Sequence, residues 1–292
     1  MTVSDARLPV LHVETSPLPG PVDDLAELAA LVDARDPLLW QRRGDGLAGI
    51  GEILRLEFHG PSRFADAATA WRTIVAQASV VDPLGVPGSG LLAFGAFAFS
   101  AFSGQSSVLI VPELIVGKRD GACWVTRVST ADAAAEAASP PAPPTELPAA
   151  RPFGPEYSVT LSPGSLDAQG YLALVGEAIE RINRHEVGKV VLARDLVGQL
   201  PPGADLRRVL RVLAAGYPDC WTYAVDGLVG SSPETLIRAH HGDLSARVLA
   251  GTISRGPDPA SDQAAAVALA TSEKDNDEHE FAVQSLLATL RP

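Results

Sequence analysis

A run of alanine and proline cuts this chain in two. Residues 131–150, ADAAAEAASPPAPPTELPAA, hold nine alanines and five prolines. Proline lacks the amide proton a ladder needs and blocks helix interiors, so such a run stays extended and unpacked. Patterned sequence lies on both sides. The whole chain has 292 residues, enough for one large domain or two modest ones. The expected organisation is residues 1–130 as one patterned part, 131–150 as a linker or exposed loop, and 151–292 as a second part, the one that carries the chemistry.

Hydrophobic residues make up 46% of the chain and charged ones 20%, so it can fill a core. Aromatics are only 5%, which leaves most packing to aliphatic side chains and alanine. The net charge of −12 gives no grip on a phosphate backbone, so no nucleic-acid partner is expected. An anionic substrate would need a local positive centre or a metal. Cys123 and Cys220 are the only cysteines and form no CxxC, which excludes a cysteine-built zinc site or disulfide scaffold. The start, MTVSDARLPV, has no basic region before an apolar run. The longest apolar stretch, 90–102, falls short of the roughly 20 residues a bilayer requires. A soluble cytoplasmic protein without membrane contact is expected. The 23 basic residues include three lysines, Lys118, Lys189 and Lys274, so a lysine among apolar neighbours stands out.

Residues 22–32 read as a short helix. Gly44, Gly46 and Gly49 spell GxGxxG, but no strand precedes them and no helix follows, so a Gly-rich turn into a strand is expected rather than a dinucleotide site. Residues 63–78 read as a helix with Phe64, Ala67, Trp71, Ile74 and Val75 on one face. Strands are expected over 91–99, 107–116 and 121–129, with a hairpin turn at Arg119-Asp120-Gly121. Asp167 can cap a helix carrying Tyr171, Leu174, Val175, Ala178, Ile179 and Ile182 at helical spacing. KVVLAR (189–194) reads as a buried strand, and 206–215 as a helix. Asp226-Gly227 turns one hairpin, and His241-Gly242-Asp243 another between strands at 235–239 and 244–250. Helices at 260–271 and 277–290 close the chain. The class is α+β, rich in antiparallel pairs.

Four segments could carry chemistry. Lys189 opens an apolar strand; desolvation would lower its pKa toward the range of a general base. It could equally be a strand-end lysine reaching water. Glu234, in SSPE, could aim a carboxyl into a cleft as a general acid, or be an exposed turn residue. Ala250-Gly251-Thr252 could bring backbone N–H groups and a hydroxyl to a ligand, or simply end a strand. The run SEKDNDEHE (272–280) could supply hard oxygen ligands for Mg²⁺, or acidic residues suited to a helix N-terminus. Asp275 and Glu278 share a helical face there. The missing loop glycine excludes an EF-hand, and His240-His241 reads as a polar turn.

Read in order, KVVLAR, SSPETLIR, LAGTISRG and SEKDNDEHEF resemble the chorismate-utilising enzymes, most closely the isochorismate synthases. The upstream WQRRGDGLAGIGE and LLAFGAFAFS are similar to bacterial members as well. The resemblance implies two packed antiparallel sheets flanked by helices. It implies a chorismate-to-isochorismate isomerase serving menaquinone or siderophore synthesis, acting as a monomer. Lys189 stands where aminating relatives carry glutamine, which implies water as the nucleophile. In that scheme Lys189 takes the proton of water attacking C2, and Glu234 protonates the departing C4 hydroxyl. Ala250, Gly251 and Thr252 contact substrate, and Mg²⁺ is held by Glu278 with Asp275 nearby. Salicylate synthase shares the lysine and is the neighbouring alternative.

Two departures accompany the resemblance. His185 stands near where relatives often have glycine, so a positive φ there would be strained. Family members also continue for roughly a further hundred residues, about one small domain. That segment carries further Mg²⁺ ligands and a substrate-binding arginine. The expectation is a chain incomplete at its C-terminal end, with exposed sheet edges, and its other-class alternative is a non-catalytic remnant with a binding or regulatory role.

Overall fold

The computed structural model describes residues 8–18, 27–130, 149–240, 242–248, 251 and 253–290. The expected linker, 131–150, lies outside these except for its last two residues, and so does 22–26 of the expected first helix. The described part of that helix is a buried 3₁₀ turn, Leu28–Ala30.

Three tight hairpins organise the main sheet. Strand β2 (Leu38–Arg42) turns into β3 (Asp45–Ile50), β8 (Leu114–Arg119) into β9 (Ala122–Thr130), and β12 (Trp221–Val225) into β13 (Leu228–Ser232). Each turn has two residues at positive φ: Arg43-Gly44, Asp120-Gly121 and Asp226-Gly227. That geometry matches the right-handed twist of the flanking strands. The GxGxxG run is therefore a hairpin, with Gly44 in the turn and Gly46 and Gly49 in β3.

With β1 (Leu11–Pro17) and β5 (Ser79–Val81), these strands form an eight-stranded sheet in the order β13-β12-β2-β3-β8-β9-β1-β5. All pairs are antiparallel except the edge pair β1–β5. A second, three-stranded sheet places β7 (Ser107–Val111) between β4 (Leu54–Phe58) and β6 (Phe94–Ala96). The expected strand 107–116 is thus two strands. Pro112 has no donor for a ladder, and there the chain passes from the small sheet to the large one. The expected strand 91–99 pairs only over its middle three residues.

Helix α1 (Arg63–Gln77) follows β4 and buries Ala67, Ala70 and Ile74 against Leu56, Phe58, Leu11 and Val13. Its buried face is rotated from the expected one. Phe64 and Val75 are exposed, and Phe64 stacks on Phe97 at the surface. Arg63 is buried instead, because its guanidinium donates to the carbonyls of Ala98 and Phe99 at 2.8 and 2.6 Å. Such bonding makes burial of a charge tolerable.

The second half joins the first through the β12–β2 pairing and through a helix packed beside it. Helix α3 (Arg207–Gly216) buries Leu210 among Leu28, Leu39, Val116 and Ala224. At its start Asp205 and Arg207 form a buried ion pair of 2.7 Å. Arg207 also donates to the Pro152 carbonyl at 2.8 Å, and Asp205 accepts from the Gly154 amide at 2.7 Å. The chain emerging from the Ala/Pro run is thereby fastened to the main sheet.

The remaining elements are much more open. Helix α2 (Ala168–Asn183) begins at the expected cap, where the Asp167 carboxylate accepts from the Gly170 amide at 2.7 Å. Tyr171, Val175, Ala178 and Ile182 form its half-covered face, while Leu174 and Ile179, expected beside them, are exposed. It ends with His185 at φ 59, the left-handed geometry that glycine adopts without strain. Two ribbons, β10 (Leu161–Pro163) with β11 (Leu196–Gly198) and β14 (Arg238–His240) with β15 (Asp243–Ser245), are exposed along their length. The expected exposed edges lie here. Helices α4 (Pro259–Thr271) and α5 (Glu273–Leu290) follow. No helix of the described residues is long and apolar enough to cross a membrane.

Candidate active site

Helix α5 is where three of the four candidate segments meet. Its N-terminus is set by Ser272, whose hydroxyl accepts from the Asp275 amide at 3.2 Å. Within the acidic run, Asp275 and Glu278 are half-buried, while Glu273, Asp277 and Glu280 are exposed. A spacing of three residues puts the two covered carboxylates on one face, as the sequence suggested. Glu278 also lies 3.9 Å from the Lys274 ammonium.

Gly251 rests directly on this face. It has φ +79, and a Cβ placed on it would stand 2.8 Å from the Cβ of Asp275. Glycine is required there twice over, by the backbone angle and by the approach. Ala250 and Thr252, its expected companions at the substrate, lie outside the described residues. The chain beyond them is pinned by Arg255, which donates to both Asp262 carboxylate oxygens at 3.0 and 3.2 Å. That bond holds the Asp262 carboxyl below the usual range. Asp258 caps α4 by accepting from the Ala260 and Ser261 amides, each at 3.0 Å.

The lysine segment reaches the same helix. A Cβ on Gly188 would lie 3.2 Å from the ring of Phe281 on α5. On its other side, the Tyr171 hydroxyl of α2 donates to the Leu192 carbonyl at 3.3 Å. The segment is not the buried strand its composition suggested. Residues 189–194 are unpaired, and Val190 and Val191 are 43% and 84% exposed. β-branched apolar residues favour a strand only where a neighbour supplies hydrogen bonds and a packing face, and no described strand lies beside them. Lys189 and Leu192 are the half-covered positions.

Glu234 stands apart. It is exposed beyond β13, its amide donating to the Ser232 hydroxyl at 3.2 Å. The next residue is fixed by the Trp221 indole, which donates to the Thr235 hydroxyl at 3.0 Å. Among the described residues no hydrogen bond or ion pair joins Glu234 to Lys189 or to α5. Three of the four segments therefore converge and the fourth is held on the main sheet.

The donor set can be weighed against Mg²⁺. The ion takes one or two carboxylates and fills its octahedron with water and substrate oxygens. Asp275 and Glu278 meet that requirement in kind and number. Among the described residues no group of three or more metal-ligating side chains forms.

Sequence reasoning missed the contacts that assemble this face. Gly188 against Phe281 and Gly251 against Asp275 join residues far apart in the chain, and no periodicity signals them. The Arg255–Asp262 clamp had a visible cue, an arginine seven residues before an acid in a helical first turn.

An α+β chain whose lysine segment, Gly251 and acidic run gather on one helix defines a class, and the comparisons agree. The chain belongs to the Chorismate binding enzyme family, whose profile matches residues 8–292. The salicylate biosynthesis isochorismate synthase of Pseudomonas aeruginosa is 30% identical over 289 residues, covering 93% of this chain and 60% of that protein. Isochorismate synthase EntC of Escherichia coli is 37% identical over 111 residues, 36% of this chain and 28% of that protein. The structure of MenF, the menaquinone-specific isochorismate synthase of Escherichia coli, matches in fold with a TM-score of 0.60. Its identity is 23%, over 94% of this chain and 63% of that one. The chain thus spans about 60% of the length of the Pseudomonas relative.

Proposed function

We propose that this protein converts chorismate to isochorismate. The observation that carries the reading is the convergence of Gly251, Asp275 and the Lys189 segment on helix α5. The 30% identity to an isochorismate synthase across 93% of the chain supports it. Lys189 removes a proton from water as the water oxygen bonds to ring C2. Both ring double bonds shift, C1=C2 to C1=C6 and C5=C6 to C4=C5, and the C4–O bond breaks as Glu234 gives its proton to the departing hydroxyl. Gly251 lets substrate approach the backbone beside Asp275, with Ala250 and Thr252 as its neighbours in that role. Asp275 and Glu278 would hold Mg²⁺, which supplies positive charge for the substrate carboxylate. Such a centre lets a chain of net charge −12 bind a dianion. Lys189 and Glu234 would have to be brought together when substrate binds, since catalysis needs both within hydrogen-bond reach.

A second reading, a non-catalytic chorismate-binding protein, is favoured by the separation of Glu234 from Lys189. One experiment divides the two. The chain is incubated with chorismate, with and without Mg²⁺, and the products are separated by chromatography. Metal-dependent isochorismate supports the enzyme. Chorismate binding without turnover supports the second reading. Free salicylate with pyruvate would identify a salicylate synthase instead.

A further inference from the structure

Three of the four tryptophans, Trp40, Trp124 and Trp221, line one cleft of about 490 Å³ at the hairpin end of the main sheet. Small-ligand sites span roughly 300–1,000 Å³. None of its lining residues belongs to the candidate active site.

Strand register explains its chemistry. Directly paired positions run Tyr223, Trp40, Leu47, Gly117, Trp124 across five strands. Side chains at paired positions share a face, so this is an aromatic row. Gly117 leaves the gap in it: a Cβ there would fall 2.0 Å from the Trp124 ring, which lies over the glycine as a buried floor. Trp40 stands above, 41% exposed, with its ring centre 5.4 Å from that of Trp221.

Two residues further along the same face comes a charged row, Arg42, Asp45 and Arg119. Arg42 pairs with Asp45 in register, and Arg119 follows on the next strand. The Arg42 guanidinium lies 5.5 Å over the Trp221 ring. Arg43 and Lys118 also line the cleft, against the carboxylates of Asp45 and Asp120. Four basic side chains against two carboxylates give the lining a positive excess in an acidic chain, although Arg43 is also met by Asp219 at 2.7 Å. The aromatic and charged rows are about 7 Å apart, two residues of a strand. That matches a benzene ring with a carboxylate attached.

We infer that this cleft binds a small planar aromatic carboxylate. The ring lies on Trp40 above the Trp124 floor, and the carboxylate faces Arg42 and Arg119. Both halves of the ligand are needed: the indoles recognise the ring, and the guanidinium groups recognise a planar anion.

The tryptophans make the test direct. The chain is titrated with benzoate while indole fluorescence is followed at the red edge of its absorption. Benzamide and inorganic phosphate are the controls. Saturable quenching by benzoate alone is expected. No saturable change, or an equal response to benzamide or phosphate, would overturn the inference. Arg42→Gln and Arg119→Gln should each weaken benzoate binding about tenfold or more, the loss of a charge-assisted bond. Each is checked by circular dichroism, so that one folded variant suffices. Unchanged affinity in both would also overturn it. Lys189→Ala should leave benzoate affinity unaltered. Loss of quenching in that variant would place the ligand at the candidate active site and sink the separate cleft.

Discussion

Gly251 and Asp275 touch, 24 positions apart in sequence, with no room for a methyl group between them. A Cβ on the glycine would lie 2.8 Å from the Cβ of the aspartate and 2.9 Å from its Oδ1. The left-handed backbone of Gly251 adds roughly 1–2 kcal/mol for any residue with a side chain. Gly251→Ala should therefore push Asp275 aside. Chorismate turnover is expected to fall at least about tenfold, with a modest loss of stability of about 1–2 kcal/mol. Steady-state kinetics alongside urea unfolding checks both. Full activity in a folded variant would remove this contact from the site.

Glu278 shares a helical face with Asp275, and both are half-buried. If they hold Mg²⁺, Glu278→Gln removes one of two charged ligands and leaves the shape intact. The Mg²⁺ concentration for half-maximal turnover should rise about tenfold or more, the usual scale for losing one good electrostatic contact. A metal titration superimposable on that of the parent chain would count against Glu278 as a ligand.

How much of this could be read from the residues depended on whether the signal was local. Asp120-Gly121 and Asp226-Gly227 announced hairpins because only a few residue types accept positive φ in succession. Asp167 announced its helix because a carboxylate cap needs only its own next turn. The α+β class and the family were legible from the order of four motifs. The segment 189–194 was misread because composition reports a liking for strands, not whether a partner strand is present. The face of α1 was misjudged because Arg63 found two carbonyl acceptors, which outweighed the apolar count favouring Phe64. Most of the site's assembly was invisible for a similar reason. Gly188 on Phe281 and Gly251 on Asp275 are contacts of the third dimension.

Lys189 is half-covered and makes no hydrogen bond or ion pair among the described residues. Its removal should cost the fold little, within about 0.5 kcal/mol for a position free of special contacts. If it is the general base, its loss should cost turnover about 10²–10⁴-fold. Lys189→Ala therefore separates catalysis from folding, read as kcat beside the urea midpoint. Retained turnover would end its assignment as the base.

Asp205 and Arg207 offer a prediction about pH. Their side chains are only 3% and 4% exposed and lie 2.7 Å apart. Burial alone would raise the Asp205 carboxyl, but the hydrogen bonds from Arg207 and from the Gly154 and Arg207 amides outweigh it and hold the group below its ordinary value. A folded-state pKa below the unfolded one contributes stability that is complete above the unfolded value, about 3.9. The contribution is lost as pH falls through the folded value. Asp205→Ala leaves Arg207 buried and unpaired, which should cost about 3–5 kcal/mol near neutrality. The gap in unfolding free energy between parent and variant should then narrow as the pH drops below about 4. An apolar replacement of both residues should be far milder, because it strands no charge. Urea melts at a series of pH values measure all three chains. A gap that stays constant into acid would mean that the carboxyl packs against its neighbours without supplying charge to Arg207.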